Sequence, residues 1–124
     1  MFVYGTLRRG ELNDINQLKP APVFVGNAKI NGDLYHLGNY PGVRLGGENE
    51  VFGEVYQITP ALEHRLDEIE SIRPTPTGEY TRQQLPVQCL EKTLTCLVYE
   101  IGATRILGKT QILSGDWVQR EVTE

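Results

Sequence analysis

Glycine or proline interrupts this chain so often that long helices have little room to form. Thirteen glycines and seven prolines are spread over 124 residues, a glycine share above the usual one. The runs between them are short and rich in β-branched and aromatic residues, which suit strands. Phe2-Val3-Tyr4 stops at Gly5, and Val23-Phe24-Val25 leads into Ala28-Lys29-Ile30. Leu34-Tyr35-His36-Leu37 ends at Gly38-Asn39-Tyr40-Pro41-Gly42. From Val51 to Ile58 the pattern alternates, with Phe52, Glu54, Tyr56 and Ile58 on one face. Thr81–Leu90 and Leu94–Ile101 predict two further strands in hairpin spacing, while Leu45–Glu50 and Arg73–Gly78 read as loops.

Composition narrows the function. An apolar fraction of 40% is ordinary for a folded domain and argues against disorder. The length suits a single domain over residues 1–124. Twelve basic against sixteen acidic residues leave a net charge of −4, the reverse of a dedicated nucleic-acid binder. No apolar run approaches the roughly 18 residues of a membrane span. The opening Met1-Phe2-Val3-Tyr4-Gly5 places Arg8 and Arg9 after the apolar stretch, unlike a secretory signal. The expectation is a cytoplasmic protein with two reduced cysteines.

One helix is well signalled, at about 60–71. Thr59 suits the N-cap and Pro60 the first helical position, where its missing N–H costs nothing. Leu62, Leu66 and Ile69 then form one apolar stripe. With Leu62 at 0°, Glu70 falls at about 80°, on the flank of that stripe. Asp67 falls at about 140° and Glu68 at about 240°, pointing away. A carboxylate at a helix C-terminus meets the negative end of the dipole, and partial burial acts the same way. Both push its pKa up, which suits a general acid or base, although a solvated surface glutamate has the same spacing. A shorter helical turn is expected around Asn13–Leu18.

Tyr4-Gly5-Thr6-Leu7-Arg8-Arg9-Gly10 is the second candidate. A strand ends in glycine, and a turn follows whose successive N–H groups can form an anion-binding concavity. An ordinary turn with two solvated arginines fits the same residues. Glu54 is either a second pocket acid or a buried carboxylate paired with an arginine such as Arg82. His36 and His64 stand alone, with no zinc spacing, so no metal is expected. A hairpin turning at Lys92-Thr93 would set Cys89 opposite Cys96, within disulfide range, or leave them as two reduced thiols. Trp117 reads as a packing anchor.

Phe2-Val3-Tyr4-Gly5-Thr6-Leu7-Arg8-Arg9-Gly10 resembles the opening motif of the γ-glutamylcyclotransferase-like family, which includes γ-glutamylamine cyclotransferases and plant AIG2-type proteins. Tyr40-Pro41-Gly42, Gly53-Glu54-Val55-Tyr56, Leu66-Asp67-Glu68-Ile69-Glu70 and Tyr80-Thr81-Arg82 match further family segments in order. The resemblance runs from residue 2 to about 100. It implies an α+β fold: a small mixed β-barrel of about six or seven strands, one main flanking helix and short extra helical turns. It implies Glu70 as the catalytic residue. It implies Tyr4, Gly5, Thr6, Leu7, Arg8, Tyr40 and Tyr80 as substrate-binding residues. The implied reaction closes a γ-glutamyl compound to 5-oxoproline and releases an amine, with no cofactor, no metal and no partner beyond the small-molecule substrate. The chain would act as a monomer or homodimer. A non-catalytic binder of carboxylates on the same fold is the alternative.

Overall fold

Two long strands form the spine of the molecule. The structure, a computed structural model, describes residues 1–69 and 79–118. In chain order its elements are β1 (Phe2–Val3), a 3-10 turn (Ile15–Gln17), β2 (Val23–His36), β3 (Pro41–Gln57) and α1 (Pro60–Ile69). Then come β4 (Tyr80–Cys89), β5 (Lys92–Ile101), a second 3-10 turn (Ala103–Ile106) and β6 (Thr110–Gln111). β2 pairs antiparallel with β3 from Val23 opposite Gln57 to His36 opposite Pro41. The connecting turn closes with Leu37 N–H donating to Tyr40 O at 3.0 Å.

Three strand expectations change. The runs at 23–25, 28–30 and 34–37 are one strand, bulged at Val25, because β3 offers a continuous partner along its length. Residues 45–50 are part of β3 and not a separate loop. Leu45 opposes Gly32 and Glu50 opposes Asn31, so residues 46–49 bow out of the ladder, with Gly46 and Gly47 at positive φ. The hairpin of β4 and β5 turns at Leu90-Glu91, both at positive φ (50° and 66°). Cys89 therefore opposes Lys92, and Cys96 opposes Leu85. The two thiols do not face each other and both are free.

The expected closed mixed barrel is absent among the described residues. β1-β3-β2-β6 form one sheet and β4-β5 a separate two-stranded ribbon, and every pairing is antiparallel. The ribbon's backbone bonds stay within the hairpin, so it covers the larger sheet by side-chain packing. The helix starts as its cap predicts: Leu62 N–H donates to Thr59 Oγ1 at 3.2 Å. Its described part ends at Ile69, and residues 70 and 71 lie outside the described residues. No described helix is long and apolar enough to cross a membrane.

Alternation sends successive residues of β1 and β5 to opposite sides. Phe2 and Tyr4, with Cys96 and Val98, join a core against β2, β3 and β4 that also holds Trp117. Met1 and Val3, with Leu97, Tyr99 and Ile101, join a second core against Leu62 and Leu66 of α1. Close approach of β1 to β3 requires Gly53, where a Cβ would overlap Val3 O and sit 2.6 Å from Phe2 Cζ.

The loop after β1 is fastened from below. Glu54 is 7% exposed. It accepts from Arg8 Nε at 3.1 Å, Arg9 N–H at 3.0 Å and Tyr56 OH at 2.9 Å. Arg8 Nη1 also reaches Asp116 at 2.6 Å. Glu54 is thus the arginine-paired buried carboxylate, but its partner is Arg8. Arg82 instead pairs with Glu63 (2.7 Å) and Asp67 (3.3 Å). Further along, Asp14 accepts from Gly10 N–H and Asn16 N–H, both at 2.9 Å, and caps the first 3-10 turn.

Two predictions follow from this fastening. Arg8→Met leaves Glu54 and Asp116 without their shared cation and should cost about 3 kcal/mol of stability, read from the urea midpoint. Desolvation raises the Asp14 pKa, but the hydrogen bonds from Gly10 and Asn16 outweigh it and hold the carboxyl below its usual value. A lowered folded pKa gives stability that is present above the unfolded pKa and lost as pH falls through the folded one. Acidification below the ordinary aspartate range should therefore loosen residues 10–16 first, as amide shifts of Gly10 and Asn16 that Asp14→Asn abolishes.

Candidate functional site

At the C-terminal end of β1 the chain turns across the opening between the two cores. A cavity of about 280 Å³ lies there. Its floor is β1, its near wall the turn Tyr4-Gly5-Thr6-Leu7, and its far wall Tyr40, Pro41, Tyr80 and Tyr99. Leu12, Ile69 and Glu79 also line it. The turn and the Tyr-Pro-Gly segment are pressed together, since a Cβ on Gly5 would fall 2.6 Å from Pro41 Cγ.

Backbone direction in the turn follows from its hydrogen bonds. Gly5 O accepts Arg8 N–H at 3.0 Å, and Thr6 O accepts Asn13 N–H at 2.9 Å. In a trans peptide the N–H points opposite to the preceding C=O. The N–H groups of Thr6 and Leu7 are therefore directed away from the loop that binds those carbonyls. Adjacent backbone N–H groups left over by such a turn are of the kind that form a concavity for an oxyanion or carboxylate.

The tyrosines hold the walls. Tyr4 OH donates to Tyr99 O at 2.6 Å, and Tyr80 OH donates to Pro41 O at 2.8 Å. Tyr40 OH donates to Glu79 Oε1 at 2.5 Å. Tyr99 OH donates to Asp67 Oδ1 at 2.7 Å. Asp67 is 0% exposed, which corrects its outward position on the helical wheel. The wheel gives a direction around the axis, and here β4 and β5 bring Arg82 and Tyr99 over that flank of α1 as polar partners. Outside the cavity, burial pushes the Cys96 thiol pKa up. His36 lies with its ring 5.3 Å from that of Trp117 and accepts Gly38 N–H on Nδ1.

The structure thus gathers Tyr4, Gly5, Thr6, Leu7, Tyr40 and Tyr80 around one cavity. Arg8 is not among the lining residues: its guanidinium turns to Glu54 and Asp116, because two carboxylates on that side outweigh solvent on the other. Glu70 lies outside the described residues; the residue before it, Ile69, lines the cavity. Tyr99 and Glu79 were not anticipated. Tyr99 had a signal in the alternation of β5, whereas Glu79 had none beyond lying next to Tyr80.

Residues 1–119 match the protein family described as "Gamma-glutamyl cyclotransferase, AIG2-like". The chain is 37% identical over 119 residues to the γ-L-glutamyl-butirosin B γ-glutamyl cyclotransferase of Niallia circulans, covering 94% of this chain and 67% of that protein. It is 32% identical over 111 residues to the γ-glutamylaminecyclotransferase of Bos taurus, covering 80% of this chain and 63% of that protein. The crystal structure of an AIG2-like protein from Mus musculus superposes with a TM-score of 0.72 at 27% identity, covering 100% of this chain and 84% of the mouse chain. The walled cavity beside the Tyr4–Leu7 turn is therefore found in a member of the γ-glutamylcyclotransferase, AIG2-like family of enzymes.

Proposed function

We propose that the protein cyclises a γ-glutamyl amine or γ-glutamyl amino acid to 5-oxoproline. The α-amine nitrogen of the substrate attacks its own γ-carbonyl carbon, and the new C–N bond closes a five-membered ring. The old amide C–N bond breaks, and the protons lost by the attacking nitrogen end on the leaving amine. No water, oxidant or reductant enters the balance.

Three tasks fall to the protein. The attacking nitrogen goes from α-ammonium to lactam N–H and gives up two protons, and the leaving amine departs as an ammonium that carries both; we assign the relay of these protons to Glu70. Donors hold the developing oxyanion or the substrate α-carboxylate; the N–H groups of Thr6 and Leu7 have the direction for it. A confined space keeps the glutamyl chain folded for attack, which converts much of the barrier into prepaid ordering. Tyr4, Tyr40, Tyr80 and Tyr99 wall such a space.

The observation that carries this reading is the turn. Its carbonyls are tied into the loop, its donors point the other way, and the cavity beside it has a size suited to a glutamyl group. Glu70 follows Ile69, a lining residue, in sequence, which accords with its assignment. The two free cysteines accord with a cytoplasmic setting.

Incubation with γ-glutamyl-ε-lysine, γ-glutamyl-alanine and glutathione should release 5-oxoproline from at least one of them. Glu70→Gln should lower that turnover by a factor of at least about 100, with the fold retained by circular dichroism. Undiminished turnover in the variant would move the acid–base role to another residue.

A further inference from the structure

Among the described residues lining the cavity, Glu79 has the only charged side chain. Three of the described guanidinium groups are engaged elsewhere. Arg8 binds Glu54 and Asp116, Arg82 binds Glu63 and Asp67, and Arg44 binds Ile101 O and Glu100. None of the three is a lining residue. The side chains of the described wall therefore present one negative charge and no cation, and the α-ammonium of the lining Met1 is bound to Tyr56 O at 2.7 Å.

Glu79 is also held in place. Its backbone carbonyl accepts Gly102 N–H at 2.8 Å, which ties it to the end of β5. Tyr40 OH donates to one carboxylate oxygen, Oε1, and no described group donates to the other. Around it the rim is apolar and wet at once: Leu12 is 78% exposed, Ile69 43% and Tyr40 38%. Exposed apolar side chains beside an oriented carboxylate match a ligand with a short hydrocarbon stem and a cationic end.

We infer that Glu79 is a specificity-determining residue that selects γ-glutamyl amides whose leaving amine carries a second, cationic amino group. This rests on the cyclotransferase reading above and narrows it. The stem lies against Leu12 and Ile69, and the distal ammonium meets the Glu79 carboxylate that Tyr40 orients. A leaving group that ends in a carboxylate meets repulsion at the same place.

The test compares three γ-glutamyl monoamides of equal reach: those of 1,5-diaminopentane, hexylamine and 6-aminohexanoate. The expected kcat/KM order has the diamine first, ahead of the neutral amide by about five- to tenfold, and the carboxylate last. Glu79→Gln should bring the diamine-to-hexylamine ratio close to one, and Glu79→Asp should keep it above one. Calorimetry with free 1,5-diaminopentane against hexylamine reads the same preference without turnover. Turnover of all three amides at similar kcat/KM, or a ratio that survives in Glu79→Gln, would overturn the assignment of Glu79. No 5-oxoproline from any amide, together with tighter diamine binding that Glu79→Gln removes, would overturn the cyclotransferase reading and uphold the cation site. Neither turnover nor a binding difference would overturn both.

Discussion

One buried carboxylate fixes the course of the chain around the cavity. Glu54 pairs through its backbone with Val3 in the β1–β3 ladder. Through its side chain it holds Arg8, the amide of Arg9 and the hydroxyl of Tyr56. Strand and following loop are thus anchored to one residue. Removing that charge from water is costly, and it is offset here by three directed donors, one of them a guanidinium. The arrangement extends through Arg8 to Asp116, so the segment carrying Trp117 is drawn to the same point. The backbone of the Thr6-Leu7 turn is held by this anchor, because Arg8 and Arg9 follow it directly in the chain.

The second constraint is that β1 and β5 are apolar on both faces. A strand with one wet face shows strict alternation, whereas one buried on both sides reads as a continuous apolar run. Met1-Phe2-Val3-Tyr4 and Leu97-Val98-Tyr99 are such runs. Each feeds two cores, and the cavity opens where the cores part company at the end of β1. Tyrosine suits this seam because its ring packs while its hydroxyl finds a carbonyl or carboxylate, as Tyr4, Tyr80 and Tyr99 each do.

Local signals in the chain were legible where the physics is local. The Thr59-Pro60 cap, the Leu62 and Leu66 positions of the helical stripe and the Tyr4–Leu7 turn depend on neighbours a few residues away, and the structure contains them, whereas Ile69, the third residue of that stripe, is 43% exposed at the cavity. Asp67 was misread because its partners, Arg82 and Tyr99, come from strands 15 and 32 residues further on in sequence. The cysteine register was misread because the hairpin turns at Leu90 and Glu91. Both adopt positive φ without the Gly or Asn that normally marks such a turn. Arg8, which the family resemblance implies as a substrate-binding residue, is not among the residues lining the cavity. Its direction is decided by Glu54 and Asp116, which lie 46 and 108 residues away. Barrel closure was likewise beyond local patterning, since it depends on whether the β4–β5 ribbon bonds to the sheet's edges or lies over its face.

A strand of two residues shared by two cores also ties their fates together. Neither core can melt and leave the other whole, because each would lose alternate side chains of the same short strand. The two cores of the described residues should then unfold together as one cooperative unit. Amide exchange at β1 would accordingly run at the rate of complete unfolding, although the strand lies at the edge of its sheet. Slow exchange at an edge would be the mark of a cavity whose β1 lining is as durable as the two cores it joins.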